Sequence, residues 1–188
     1  MMNQTKNRLK SIHDVSDEAI ATFLQLGEIK EYEKNKQLFS PEKRHHYLYV
    51  IEKGAVRAYS YYKGKQVTFW LGMEGDFVFP YRTFVYDQPS YETVELLEDC
   101  MLNAFLIKDL RHLMDHNFEW SVWGRKFMEK ELVAMEERFI SYQFKTAKER
   151  YDQLINEKPE IFNRIQLQHI ASYLGITQVS LSRIRGNY

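Results

Sequence analysis

The sequence contains little cysteine, proline or glycine and has no excess of charge of either sign. Its 188 residues include one cysteine, four prolines and eight glycines, and 26 Lys and Arg balance 26 Asp and Glu. A single cysteine, Cys100, excludes an internal disulfide and a four-thiolate iron–sulfur cluster, which is typical of a reducing compartment and predicts a cytoplasmic location. No apolar run approaches the ~18 residues of a membrane span, and the polar N-terminus lacks the apolar segment of a secretory signal. We therefore expect no membrane partner.

The composition is that of a folded chain. Hydrophobic residues make up 44% of it and aromatic residues 15%, which excludes intrinsic disorder. The length allows one large domain or two small ones. A balanced net charge does not exclude nucleic acid as a partner, because local charge decides that interaction.

The middle of the chain has the pattern of short antiparallel strands. Half of the glycines fall within 22 residues: Gly54, Gly64, Gly72 and Gly75. Runs rich in Tyr, Phe, Val and Ile predict strands over 47–51, 55–61, 66–71, 93–97 and 101–107. Lys63-Gly64 has the composition of a hairpin turn. Spacing of about ten residues favours a small β-barrel or roll. Its aromatic residues either fill the interior or form a stacking surface for single-stranded nucleic acid.

A long helix is predicted after the strands, because no proline or turn cluster interrupts residues 117–148. Heptad spacing gives it one apolar seam: Met128, Leu132, Met135, Phe139 and Tyr142. A second apolar face begins at Trp120, Trp123 and Phe127, and we expect it to continue at Ile140 and Phe144. About 28 helical residues span roughly 42 Å, and a lone helix of that length favours a homodimer along the seam. The alternative is that the seam packs within one chain.

The last forty residues have the pattern of a helix-turn-helix. Residues 163–188 contain no acidic residue but three arginines, which suits a polyanionic partner. Five apolar positions form the predicted core: Ile170, Leu174, Ile176, Leu181 and Ile184. Ala171 allows close helix crossing, Gly175 falls where the turn needs left-handed geometry, and the Thr177 hydroxyl is placed to cap the second helix.

Three runs carry a resemblance to a known family. VIEKGAVRAY and MEGDFV resemble the cyclic-nucleotide-binding-type β-roll of the Crp/Fnr transcription regulators. ERYDQLINEKPEIFNRIQLQHIASYLGITQVSLSRIR resembles the C-terminal part of that family, especially its short Bacteroidetes-type members. The resemblance extends from about Phe39 onward.

The resemblance implies an α+β fold in three parts. These are an antiparallel β-roll (jelly-roll) sensor over 1–116, a dimerisation helix over 117–147, and a DNA-binding helix-turn-helix over 148–188. The sequence ends soon after the second helix of that unit, so we expect no C-terminal wing. Double-stranded DNA with a near-palindromic site, a second copy of the chain and RNA polymerase are the implied partners.

The residues that hold cyclic nucleotide in the family are replaced here. In nucleotide-binding members, a Gly-Glu pair follows the turn that Gly75-Asp76-Phe77 matches, and an Arg-Ser or Arg-Thr pair comes about ten residues later. These positions fall on Phe79, Pro80, Ser90 and Tyr91. Phe79 adds bulk, Pro80 has neither carboxylate nor N–H, and Ser90 has no charge to pair with phosphate. We therefore predict no cofactor and no binding of cyclic AMP or cyclic GMP.

Two alternatives remain for this pocket. Arg82 lies nearby. It is either an anchor for a different anion, from an unknown small-molecule effector, or a solvated surface residue. In the other alternative, Phe79 and Tyr81 fill the cavity, so that no ligand binds.

The family pattern also predicts which residues contact DNA. In the family, an Arg-Glu pair and a later Arg commonly touch base edges, and here only the later one remains. The predicted base contacts are Gln178, Val179, Ser182 and Arg183. The predicted phosphate contacts are Arg164, Thr177 and Arg185.

Other classes of function have weaker support. The chain has no Gly-x-Ser-x-Gly, phosphate-cradling glycine loop or Cys-x-x-Cys, so we expect no enzyme. His45, His46 and Glu52 resemble the metal motif of the cupins, so a cupin-like metal enzyme is a remote alternative, but adjacent strand residues point to opposite faces. His112 and His116 have the spacing of a zinc pair without a third ligand, so we expect no metal site. A further alternative is a β-roll sensor or interaction module whose helix-turn-helix no longer binds DNA.

Overall fold

The structure, a computed structural model, describes residues 3–186 as a β-roll flanked by helices. Its helices are α1 (Asn3–Ile12), α2 (Asp17–Gln25), α3 (Tyr81–Tyr86), α4 (Ile107–His116), α5 (Phe118–Phe144), α6 (Ala147–Glu157), α7 (Ile161–Arg164), α8 (Leu167–Tyr173) and α9 (Gln178–Gly186). Its strands are β1 (Gly27–Tyr32), β2 (Gln37–Phe39), β3 (Tyr47–Lys53), β4 (Val56–Tyr62), β5 (Lys65–Gly72), β6 (Phe77–Val78), β7 (Thr93–Leu96) and β8 (Cys100–Leu106). Within residues 3–186, no helix combines the length and the apolar character needed to cross a membrane.

Two antiparallel sheets form the roll. Sheet A has the strand order β1-β8-β3-β6 and sheet B the order β2-β7-β4-β5. The five predicted strands correspond to β3, β4, β5, β7 and β8. Lys63 and Gly64 form the β4–β5 turn with φ of 50° and 75°, the left-handed pair that a tight hairpin requires. The predicted α+β fold with an antiparallel roll is confirmed.

Alternating residues of sheet A supply two separate cores. Tyr49 and Ile51 of β3 face sheet B and pack with its buried residues. Leu48 and Val50, between them in sequence, face the opposite side and pack against helices. Because successive side chains of a strand point to opposite faces, one strand serves both cores.

The N-terminal helices α1 and α2 cover the outer face of sheet A. Leu9 of α1 and Phe23 of α2 are almost fully buried there, together with Trp120 and Trp123 of α5. The Trp123 indole N–H donates to the Leu9 carbonyl at 2.9 Å. Among the aromatic residues of the strands, Tyr49, Tyr59 and Phe105 are buried as the first of the two sequence interpretations has it, whereas Tyr61 and Tyr62 are exposed.

Helix α5 is the long helix that the sequence predicts. Asn117 caps it, since its side chain accepts from the Trp120 N–H at 3.1 Å. Trp123 and Phe127 are each only 2% exposed, whereas Ile140 is 45% and Phe144 82% exposed. The predicted continuous second face is therefore wrong. Ile140 lies roughly 140° around the helix from Phe127, so the two cannot share a face.

The C-terminal helices form a third core against sheet B. Thr146 and Glu149 make a reciprocal capping box at the start of α6. Three of the five predicted core positions of the helix-turn-helix, Ile170, Leu174 and Leu181, are buried with Leu154 and Ile161 of the preceding helices and Leu71 of β5, and the other two, Ile176 and Ile184, pack half-buried against them. Gly175 has a φ of 68° in the turn between α8 and α9, as expected. We call α8, this turn and α9 the helix-turn-helix unit.

Candidate functional site

The outer face of α9 is solvent-exposed and polar. Leu181 is fully buried, while the four predicted base-contact positions are all exposed: Gln178, Val179, Ser182 and Arg183. The Thr177 hydroxyl accepts from the Ser180 N–H at 3.1 Å, which confirms its role as the helix cap. No acidic residue lies on α8 or α9, so the surface combines exposed hydrogen-bonding groups with positive charge.

Two of the three arginines of this region belong to that surface. Arg183 and Arg185 are exposed, and in the described part of the chain no ion pair holds either guanidinium. Arginines that are free of internal partners are available to phosphates and guanine edges. Thr177 is exposed beside them, although its hydroxyl already serves the cap.

Arg164 differs from the prediction that it contacts phosphate. Its guanidinium donates to both carboxylate oxygens of Glu74, at 2.9 and 2.8 Å, and also contacts Glu98. Burial alone raises the pKa of Glu74, but hydrogen bonds from Arg164 and the Gly54 N–H outweigh it and lower that pKa to about 2. Arg164 therefore joins the helical region to the roll, because two carboxylates of the roll already neutralise its charge.

The helix-turn-helix unit is docked on sheet B by further polar contacts. The Ser172 hydroxyl of α8 accepts from the Thr68 N–H at 2.9 Å, on the open edge of β5. Arg57 of β4 contacts His169 of α8, with 2.8 Å between Nη1 and Nδ1. Outside the unit, Lys158 at the end of α6 pairs with Asp76, which precedes β6, at 2.9 Å. These contacts set the position of α9 relative to the roll.

A cavity of about 170 Å³ lies between sheet B, α3 and the C-terminal half of α5. Aromatic side chains form much of its wall: Phe69, Trp70, Phe77, Phe79, Tyr81 and Tyr91. The rings of Phe79 and Tyr81 lie 4.7 Å apart, so they occupy part of the space without closing it. The volume is close to the ~150 Å³ of a dry cavity that admits one benzene-sized ring.

Four charged side chains also line this cavity. Arg82 donates to Gln88 at 2.6 Å and stacks over Tyr91, while Arg138 donates to the Phe69 carbonyl at 2.9 Å. Glu131 accepts from the Tyr81 hydroxyl at 3.0 Å. The fourth, Glu92, is 8% exposed. The wall therefore carries two positive and two negative groups around an aromatic centre.

Only half of the four family pocket positions reach this cavity. Phe79 and Tyr91 line it, whereas Pro80 and Ser90 are buried elsewhere. Pro80 precedes α3, and the backbone of Ser90 exchanges hydrogen bonds with the 42–43 segment. Pro80 and Ser90 therefore do not line this cavity, whereas Glu92 does.

The predicted dimer seam is largely exposed in the single chain. Leu132 is 68%, Met135 58% and Phe139 65% exposed. The ends of the seam differ, because Met128 packs partly against the core beneath α5 and the Tyr142 hydroxyl donates to the Tyr173 carbonyl of the same chain. The three central residues therefore form a largely exposed apolar surface.

The residues of the cupin-like alternative do not come together. His45 Nε2 contacts the Ser40 backbone, and the buried Glu52 carboxylate accepts from the Gln4 and Thr5 N–H groups at the start of α1, both at 3.0 Å. Glu52 thus caps a helix, a role invisible to sequence spacing. The rings of His112 and His116 on α4 lie against each other, with 4.1 Å between their centroids. Within residues 3–186, no group of three or more His, Cys, Asp or Glu residues has metal-binding geometry.

Several site residues escape sequence reasoning. Glu131 and Arg138 are seven apart on α5, and this two-turn spacing is a signal that could have placed both on the cavity side. The contact of Arg57 with His169 joins positions 112 residues apart, and no local sequence pattern predicts it.

Known proteins match both the roll and the whole fold. A family model described as the cyclic nucleotide-binding domain matches residues 29–117. FixK2 from Bradyrhizobium japonicum is similar with 20% identity and a TM-score of 0.74, over 86% of this chain and 83% of that one. The Thermus thermophilus catabolite activator protein is similar with 17% identity and a TM-score of 0.61, over 96% of this chain and 85% of that one.

A third structure is the c-di-GMP-responsive global regulator CLP of Xanthomonas campestris. It shows 14% identity and a TM-score of 0.69, over 92% of this chain and 91% of that one. Comparison with curated protein sequences gives no match. Residues 29–117 are therefore similar to the cyclic nucleotide-binding domain family, and the chain as a whole has the fold of its structural neighbours, which are Crp/Fnr-family transcription regulators.

Proposed function

We propose that this chain is a homodimeric, DNA-binding transcription regulator whose β-roll does not bind cyclic AMP or cyclic GMP. The observation that carries the proposal is α9, which buries Leu181 and exposes Gln178, Val179, Ser182 and Arg183 together. A helix held by its apolar side, with arginine and amide groups outward and no acidic residue, suits the major groove. We assign no catalytic step to the chain.

Dimerisation through α5 supplies the second half of the site. Leu132, Met135 and Phe139 present an apolar stripe that a second copy of α5 would bury. Two-fold symmetry then sets two α9 helices into successive major grooves about 34 Å apart, on a near-palindromic site. RNA polymerase is the further partner that such a regulator would contact.

Selection from a pool of random duplexes at moderate salt tests the proposal. We expect enrichment of two related half-sites separated by about one helical turn. Enrichment of no sequence, with the chain still folded and dimeric, would favour the alternative of a sensor or interaction module with a vestigial helix-turn-helix.

Two arginines of α9 are expected to act differently on DNA. Arg183→Ala should cost about 1–3 kcal/mol of binding free energy and relax preference at one base pair, because arginine bonds bidentately to guanine. Arg185→Ala, the matched control two residues away, should weaken all sequences alike and reduce the salt slope by about 1. Binding titrations on a panel of single-base variants measure both, and identical behaviour of the two variants would contradict these roles.

The cavity supports a small effector other than a cyclic purine nucleotide. Its volume of about 170 Å³ is near the ~150 Å³ that holds one ring, whereas a cyclic nucleotide brings a fused double ring, a sugar and a phosphate. Arg82 lines the wall as a candidate anchor for an anionic group. Calorimetry with cyclic AMP and cyclic GMP should therefore show no binding tighter than the millimolar range. A micromolar constant for either would mean that Arg82 or another group has taken over the phosphate.

A further inference from the structure

The contact between Arg57 and His169 joins the sensor roll to the helix-turn-helix unit in one protonation state only. Arg57 Nη1 lies 2.8 Å from His169 Nδ1. A guanidinium has donors and no acceptor, so this contact requires an unprotonated Nδ1 that accepts. Protonation would place an N–H against an N–H at the same distance. The imidazole must therefore be neutral where the unit is docked as in this structure.

Arg57 has no room to turn away from an added charge. Its guanidinium is buried, donates to Glu95 Oε2 from Nε at 2.9 Å and from Nη2 at 2.6 Å, and donates to Gln66 at 2.7 Å. Its other face lies 4.2 Å from the centre of the Tyr59 ring. Four interactions thus fix the guanidinium at the point where His169 of α8 contacts it.

The charges around His169 come from two strands. Arg57 of β4 contributes one positive charge and Glu95 of β7 one negative charge. Gln66 of β5 is neutral, and burial raises the pKa of Tyr59, so that phenol stays neutral as well. The neighbouring side chains of Gln166, which caps α8, and of Gln168 and Ser172 on α8 are uncharged. A protonated His169 would therefore add a second positive charge against a single carboxylate.

His169 favours the neutral state for two physical reasons. Partial burial and the neighbouring guanidinium both lower the pKa of His169 below its ordinary range, and Glu95 only partly opposes them. A group with a lowered pKa in the docked state contributes docking stability above its ordinary pKa of about 6.5. That contribution is lost as the pH falls below this value.

We propose that His169, docked in its neutral form on Arg57, is a pH-sensitive latch that holds the helix-turn-helix unit on sheet B. At neutral pH α8 covers the open edge of β5, and Ser172 accepts from the Thr68 N–H. In mild acid the protonated imidazole repels Arg57, α8 separates from β5, and α9 loses its fixed position relative to the roll. The latch is independent of the proposed DNA-binding function, and its test uses no DNA.

The sheet that carries the latch also forms a wall of the effector cavity. Ala58 and Val94 face the cavity, while their sequence neighbours Arg57 and Glu95 face α8. Strand alternation therefore places cavity residues and latch residues back to back on β4 and β7. A change in the position of β4 and β7 would therefore alter both the cavity and the contact between Arg57 and His169.

Hydrogen exchange measured by mass spectrometry at pH 8.0 and pH 5.5, corrected for intrinsic rates, tests the latch. In the wild-type chain we expect peptides covering β5 and α8 to lose protection at pH 5.5, while peptides covering β3 keep theirs. Since one proton is taken up, the docking equilibrium changes by at most about tenfold per pH unit. Retained protection of β3 separates undocking from unfolding.

Two matched variants make the test specific. His169→Asn keeps an acceptor near Arg57 but does not titrate, so protection of β5 should no longer depend on pH, whatever its level. His112→Asn makes the same change at a histidine of α4 that stacks on His116, and should behave as wild type. Equal protection of wild-type β5 at both pH values, or unaltered pH dependence in His169→Asn, would overturn the proposal.

Discussion

The two halves of α5 have similar apolar content but opposite environments. In the N-terminal half, Trp120, Trp123 and Phe127 are at most 2% exposed and pack against α1, α2 and sheet A. In the C-terminal half, Leu132 and Phe139 are 68% and 65% exposed. The first half is a core within one chain, whereas the second half has the character of an interface. Apolar periodicity alone does not distinguish these roles.

The C-terminal half also has two different sides. Glu131 and Arg138 turn toward the cavity, while Leu132 and Phe139 face solvent. Met135 takes part in both, since it lines the cavity and is 58% exposed. A dimer formed on this half would therefore lie directly beside the cavity, so a ligand and a partner chain would contact the same turn of helix.

Charging the exposed half is expected to have the largest effect. Leu132→Asp combined with Phe139→Asp would bury four unpaired carboxylates in a dimer, and each costs several kcal/mol. We expect sedimentation to show a monomer, with an unchanged circular-dichroism spectrum because both side chains are largely exposed in the single chain. Glu136→Gln, on the same segment, is the control. A dimer mass in the double variant would mean that the interface lies on another surface.

Truncating the buried half is expected to affect folding rather than association. Trp123→Ala removes a nearly fully buried ring and its hydrogen bond to Leu9, which should lower the free energy of unfolding by about 3–5 kcal/mol. Urea unfolding in the monomeric double-variant background measures this without a contribution from dissociation. Phe118→Ala, at an 85% exposed position of the same helix, should change stability by less than about 1 kcal/mol. Equal losses would contradict the division of α5.

Tyr142 gives the smallest and most selective effect. Its hydroxyl donates to Tyr173 and its ring lies beneath Arg150, so it packs against its own helical region although heptad spacing assigns it to the seam. Tyr142→Phe should cost about 0.5–1.5 kcal/mol of unfolding free energy and leave the dimer dissociation constant unchanged. If dissociation instead increased as much as it does in Phe139→Ala, Tyr142 would belong to the interface.

Much of the fold follows from local pattern. The strands β3, β4 and β5 are rich in aromatic and β-branched residues, and Lys63-Gly64 between β4 and β5 has the positive φ values that the turn requires. The helix α5, the turn at Gly175 and the Thr177 cap are equally local. Each depends on residues within a few positions of one another, which is why a single sequence predicts them.

The remaining features depend on distant partners. Helix α1 is mostly polar, and only the fold brings Leu9 against Trp123 and Thr5 against Glu52. Strand β6 has two residues and therefore no periodicity to detect. Arg164 carries the charge expected of a residue that binds phosphate, but it pairs with Glu74, which lies 90 residues away in sequence.

The central claim is that two α9 helices read one face of a duplex as a fixed pair. The most direct test compares affinity for the selected site with affinity for the same site after five base pairs are inserted between its halves. Half a helical turn places the second half-site on the opposite face, so we expect affinity to fall to the level of a single half-site. Equal affinity for both duplexes would contradict the account, because it would mean that the two α9 helices bind independently.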